Sequence, residues 1–180
     1  LSFVKNTRKK ASEFLLKKEF QNLKRNVRST SLSNANTVAL LFDASSKSEF
    51  DFVRNYIKKL KDEGKKIQAL GFYNQKETPV MMNSKLEYDF FTLKDINWHY
   101  KPTSKAVSIY MDEPFDILIN LCTKTVLPLL HVAAISKAKF KVGMHRDKHI
   151  KYYDLLVHHR NENDMNGFIH NIENYLQNIR

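Results

Sequence analysis

Two short polar stretches in the 180-residue chain place hydroxyls, a lysine and an expected helix start directly after an apolar run. The first, Asp43-Ala44-Ser45-Ser46-Lys47, follows TVALLF; the second, Cys122-Thr123-Lys124-Thr125, follows FDILINL. Such groups at a helix amino terminus suit an anion such as a phosphate, because free backbone N–H groups and the positive end of the helix dipole face it. Asp43, Ser45, Ser46, Lys47, Thr123, Lys124 and Thr125 are therefore the candidate phosphate-binding residues. Neither stretch contains glycine, and neither G-x-G-x-x-G nor G-x-x-x-x-G-K-[ST] spacing is present, so close backbone wrapping of a diphosphate is not supported. The same residue types build ordinary helix caps, and the capping reading is preferred for both stretches.

Cys122 has two of the conditions that lower a thiol pKa, a helix start and a nearby lysine. No base stands near it in sequence, and a lone cysteine ending an apolar strand is expected to be a small buried hydrophobe. His145 and His149 lie four apart, and His158 and His159 end a later apolar run beside Asp147 and Asp154. These are metal-ligand types, but the chain has no H-E-x-x-H or paired C-x-x-C, and Arg146 and Lys148 among the histidines would repel a cation. No catalytic residue, metal or cofactor is assigned.

The third chemistry is electrostatic. The formal net charge is +11, and residues 1–36 alone hold nine Lys or Arg against two Glu. Lys9, Lys10, Lys17, Lys18, Lys24, Arg25 and Arg28 are the candidate RNA-binding residues, suited to phosphate contacts that carry no sequence information. Lys139, Lys141, Arg146, Lys148 and Lys151 are expected to add a basic rim, with Trp98, Tyr100, Tyr152 or Tyr153 as stacking surfaces where exposed. No RNA-recognition motif, helix-turn-helix or zinc finger is present. An anionic membrane surface is a weaker partner for the same helix.

These residues need elements to place them. From Ser2 to about Val27 there is no proline or glycine, and Leu16, Phe20, Leu23 and Val27 recur at helical intervals, with Phe3, Ala11 and Phe14 on a slightly rotated stripe. The reading is a basic amphipathic helix over 1–28, then STSLSNAN, 29–36, as a connector that turns more than it packs. The rest, 37–180, is read as one α/β domain. TVALLFDA, the amphipathic EFDFVRNYIKKLKDEG and KIQALGFY form a βαβ unit with parallel strands. LEYDFFTL, 86–93, reads as a short strand and 94–108 as a turn or irregular edge. Residues 115–121 are a buried strand, VLPLLHVAAIS a helix from about Thr125, and KFKVGM and YYDLLVHH further strands. A closing helix starts at Asp164. Five or six strands with helices on both faces make a three-layer Rossmann-like or flavodoxin-like domain, mainly parallel, with an extra N-terminal basic helix.

Thr37–Asp43, EFDFVRNYIKKLKDEGKKIQALGFY and FDILINLC with LPLLHVAAISKAKFKVG together resemble an uncharacterised family of small α/β proteins from the Bacteroidetes group. That resemblance implies a lineage and a fold but no activity. Asp116–Leu121, Cys122–Thr125 and Lys139–Gly143 also look like the strand, polar loop, helix and glycine-ended strand of the Rossmann-like N-terminal half of heptosyltransferases. Those enzymes close a second domain over a sugar nucleotide, for which this chain has no room. The single cysteine, and the lack of any apolar run near the roughly 18 residues of a membrane span, lead to an expected cytoplasmic location.

Three functions stay open. The preferred one is non-catalytic binding of ribosomal or other structured RNA through the basic helix. The alternatives are a nucleotide- or phosphometabolite-binding enzyme built on the two polar turns, and a subunit of a protein assembly docking through the helix stripe.

Overall fold

The computed structural model describes residues 2–77 and 87–179, the side chains of residues 2, 3 and 5 excepted. Phe3 therefore lies outside the described side chains, and Leu86, at the start of one expected strand, outside the described residues.

Among the described residues there are six strands, β1 (Thr37–Asp43), β2 (Lys66–Tyr73), β3 (Tyr88–Thr92), β4 (Ile117–Asn120), β5 (Phe140–Met144) and β6 (Leu155–Val157). They form one sheet in the order β3-β2-β1-β4-β5-β6, and each adjacent pair is parallel. This is a Rossmann-like doubly wound sheet, whose order reverses between β1 and β4. The five central residues of β1 and all of β4 are buried, as a strand covered on both faces must be.

Alternate residues along the strands feed two cores. Val38, Leu40 and Phe42 point toward α2 (Lys47–Asp62) and α5 (Met165–Gln177), and Ala39 and Leu41 toward α3 (Lys105–Asp112) and α4 (Leu127–Ile135). Ser46 caps α2 and Asp164 caps α5 through their side chains. The α2 helix ends in a Schellman turn, with Lys65 N donating to Leu60 O and Gly64 N to Lys61 O. Gly64 adopts φ +82° there, a conformation side chains resist.

The first helix, α1 (Ser2–Gln21), lies outside the three layers. Its place follows from α4, LPLLHVAAI, which is apolar all round and so needs cover on both sides. Leu129, Val132 and Ala133 face the sheet, while Leu130 and Ala134 face outward and pack with Leu16 of α1 and with Tyr152. Phe20 meets the Tyr152 ring edge-on at 5.1 Å. Glu19 fixes the register from the same face: Lys101 donates to it, and its Oε2 lies 2.9 Å from His131 Nε2. Burial pushes the His131 imidazole down from its ordinary value, against the pull of Glu19.

Four expectations need correction. The first helix stops at Gln21 rather than near Val27, because the chain beyond is captured by tertiary contacts: Arg25 donates to the carbonyls of Ala138 and Lys139 and pairs with Asp154, and Arg28 N donates to Lys139 O. Residues 29–36 do pack, since Leu32 and Ala35 are buried in the core shared with α2 and α5. The segment 94–108 contains the start of α3, capped by Ser104. The strand expected over 152–159 is only Leu155–Val157, and Asp147–Tyr152 forms a short 3-10 helix instead.

Candidate functional site

The two polar turns follow β1 and β4, so they meet at the point where strand order reverses, the usual ligand crevice of this architecture. Their groups are turned on one another and on the chain. Asp43 Oδ1 accepts from Ser45 N, Ser45 Oγ accepts from Asn74 N, and Ser46 Oγ accepts from Glu49 N. Thr123 is buried and donates its hydroxyl to Glu162 O, 2.6 Å away, and Lys124 Nζ donates to Asn163 Oδ1. Lys47 and Thr125 are exposed.

A cleft of about 280 Å³ remains here, lined among others by Ser48, Glu49, Thr123, Glu162 and Asp164. Burial raises the pKa of Glu49, with Asp43 adding to the effect and Lys124 opposing it, and three carboxylates, Glu49, Glu162 and Asp164, line the cleft. That is the wrong sign for a phosphate cradle. Cys122 is buried, and desolvation, helped by Asp43 and Glu49, holds its thiol well above the ordinary value. The turn 122–125 is a braced joint between β4 and α4.

The histidines do not converge on an ion. His145 and His158, each just beyond a strand end, stack face to face with ring centroids 3.9 Å apart. Among the described residues no group of three or more His, Cys, Asp or Glu could hold a metal ion.

The basic residues divide by position. Lys139 precedes β5 and donates to Asp116 Oδ1 at 2.8 Å, and Lys141 is wholly buried under α4. Arg146 follows the same strand, about 20 Å from Lys139 at ~3.3 Å per residue, so the five expected rim residues do not share one rim. Asp116 is also unusual, because burial would raise its carboxyl but donors from Lys139, Thr37 and Asn36 pull it down to about 2. Lys24, Arg25 and Arg28 leave the helix surface with the end of α1. The Arg25 and Asp154 side chains are 10% and 17% exposed, so this guanidinium is held in the fold. Arg28 lines a separate polar cavity of about 630 Å³ with Asp116 and Lys139, at the amino ends of the strands.

Lys9, Lys10 and Lys17 instead face Lys148 and Lys151 of the 3-10 turn across two adjoining clefts of about 380 and 400 Å³, which share Glu13, Lys148 and His149. The five lysines face only Glu13 and Asp147 among the lining carboxylates. Arg146 stands at one end, but its guanidinium is engaged by Glu162 and the Thr123 carbonyl. At His149 burial lowers the pKa, and Arg146, Lys9 and Lys148 push the same way while Glu13 opposes them. Lys18 is exposed on α1.

Of the aromatic candidates, Tyr152 is buried, and Tyr153 packs against Gly143 while its hydroxyl accepts from Asn120. A Cβ on Gly143 would lie 2.5 Å from the Tyr153 ring, so the strand needs glycine there. Trp98 is exposed, and Tyr100 lies under the Arg8 guanidinium at 3.8 Å on the far flank of α1. Sequence reasoning missed Phe14 as a groove residue by assigning it to a packing stripe. It is 69% exposed and lines the 380 Å³ cleft between Lys10 and Lys17.

The model of a family described as "Family of unknown function (DUF6913)" matches residues 8–179. The chain belongs to this family. Neither the curated proteins nor the solved structures contain a match, so the heptosyltransferase likeness gains no support from them. The DUF6913 match spans α1 from Arg8 onward together with the whole sheet, so the basic helix and its platform fall within one family unit.

Proposed function

We propose that this DUF6913 protein binds structured RNA without catalysis, through the lysine groove between α1 and the 147–152 turn. The observation that carries the reading is the pairing of Lys9, Lys10 and Lys17 with Lys148 and Lys151 across the adjoining clefts, from segments more than 130 residues apart in sequence. Phosphate oxygens are the natural counterpart of ammonium groups on two walls, and such contacts need no base readout. A reduced cytoplasm and the bacterial lineage of the sequence resemblance fit this reading and belong to it as proposals.

The other readings have less to stand on. The crevice at the strand-order reversal presents carboxylates where a nucleotide phosphate would sit. An assembly subunit needs an unpartnered apolar stripe, but Leu16 and Phe20 already pack against α4 and Tyr152. Lipid insertion needs the same stripe. Among the described residues no helix is long and apolar enough to cross a membrane.

The test is binding of a labelled hairpin RNA across a salt series. Each neutralised phosphate contributes about 0.7–0.9 to the slope of log affinity against log salt, so five lysines set a slope of up to about 4. Lys10→Glu combined with Lys148→Glu is expected to weaken binding at least about tenfold and to flatten that slope by about 2. Salt-insensitive binding, or binding unchanged in the double variant, rules the reading out.

A further inference from the structure

We propose that the groove receives an unpaired stretch of RNA, with one base stacked on Phe14; this rests on the RNA-binding reading above and specifies the form of its ligand. Phe14 is 69% exposed although it lies mid-helix in a protein with two well-formed cores. An exposed aromatic is unremarkable alone. Its surroundings give it a use. Lys10 is four residues before it and Lys17 three after, so the three side chains share one helix face as cation, ring, cation. Lys148 and Lys151 form the opposite wall, and the Lys151 ammonium sits 5.0 Å from the Tyr152 ring.

Backbone-tracking lysines alternating with an aromatic platform are how single strands are held, because each base has a stackable face once it is unpaired. A duplex hides those faces, and double-stranded RNA is read by shape over about 16 base pairs. Here Lys9 to Lys17 covers only about 12 Å of helix axis. The cleft beside Phe14, about 380 Å³, is the size of a small-ligand pocket and suits a nucleotide rather than a helix. A lipid surface is disfavoured because the ring is flanked by lysines inside a groove, while the apolar stripe of α1 is already covered.

The experiment compares a labelled 12-nucleotide single-stranded RNA, the same sequence as a duplex, and phosphatidylserine vesicles. Wild type is expected to prefer the single strand. Phe14→Leu, which keeps an apolar side chain but removes the stacking face, is expected to weaken single-strand binding about 5- to 100-fold and leave duplex binding unchanged. Phe14→Trp should restore affinity, and in a Trp98→Phe background its fluorescence should be quenched by the single strand alone. If Phe14→Leu binds like wild type while Lys10→Glu with Lys148→Glu still weakens binding, the stacking proposal is overturned and the phosphate groove stands. If the charge variant also has no effect, the RNA reading fails with it. Vesicle binding that depends on Phe14 in the absence of oligonucleotide binding overturns both in favour of a lipid surface.

Discussion

Lys141 lies in the middle of β5 with no exposed surface, and its ammonium donates at 2.7 Å to Ala134 O near the carboxyl end of α4. The negative end of that helix favours a cation, but desolvation, with Arg25 nearby, lowers its pKa to about 7 against the opposing pull of Asp154. The unfolded chain binds this proton up to about pH 10.4. Between about pH 7 and pH 10 it therefore holds more protons than the native state, and stability rises with pH as the cost of burying the charge is relieved. Urea denaturation is expected to show a gain of about 2 kcal/mol from pH 7 to pH 9, absent in Lys141→Met, which should also be the more stable protein at pH 7. Nothing in KFKVGM marks Lys141 as interior, because the alternation K-F-K-V reads as a strand with its lysines in water. The end of α4 lying over it is a tertiary fact, as is the exposure of Phe14.

The elements show where local pattern suffices and where it does not. The strands β1 and β2 were legible as long apolar runs, and the helices α2 and α5 because each is strongly patterned and bounded by its own cap. The eight residues of α3 carry too few turns for periodicity to stand out, and β6 has only three residues. The end of α1 is set by Arg25, whose guanidinium joins two carbonyls and a carboxylate from segments over a hundred residues away. Arg25→Ala is expected to cost about 3 kcal/mol, the lower end of the range for removing one partner of a buried pair, since both side chains keep an edge in solvent. Arg25→Lys should recover little of it, because a single ammonium cannot reproduce the planar fork. Chemical denaturation checks the magnitude. Limited proteolysis within 22–30 checks the location, with faster cleavage expected in both variants.

At the scale of the whole molecule, the sequence carried the fold class and the basic arm but not the strand order or the path of the arm. The order came from how β3 crosses to β4 through α3, and the path from the outer face of α4, whose uniformly apolar sequence was the one available signal. This placement changes what truncation means. Removing residues 1–21 takes away three of the five groove lysines, Lys9, Lys10 and Lys17, along with Lys5, Arg8, Lys18 and two glutamates, but it also uncovers Leu130, Ala134 and Tyr152. The shortened protein is expected to self-associate as its concentration rises, measurable by sedimentation, while retaining the far-ultraviolet signature of the sheet and its helices. Charge substitutions on α1 should leave it monomeric, which makes them the cleaner probe of RNA binding.

Arg25 and Asp154 are 129 residues apart, and Leu16 reaches Leu130 across a similar stretch. A ribosome adding about 5–20 residues per second finishes the platform for α1 on the order of ten seconds after α1 itself emerges. The α1 helix is thus made well before the surface that receives it. Throughout that interval a cationic helix with an uncovered apolar side hangs beside the most abundant RNA in a cell, and the timing of its docking becomes a problem for synthesis as much as for stability.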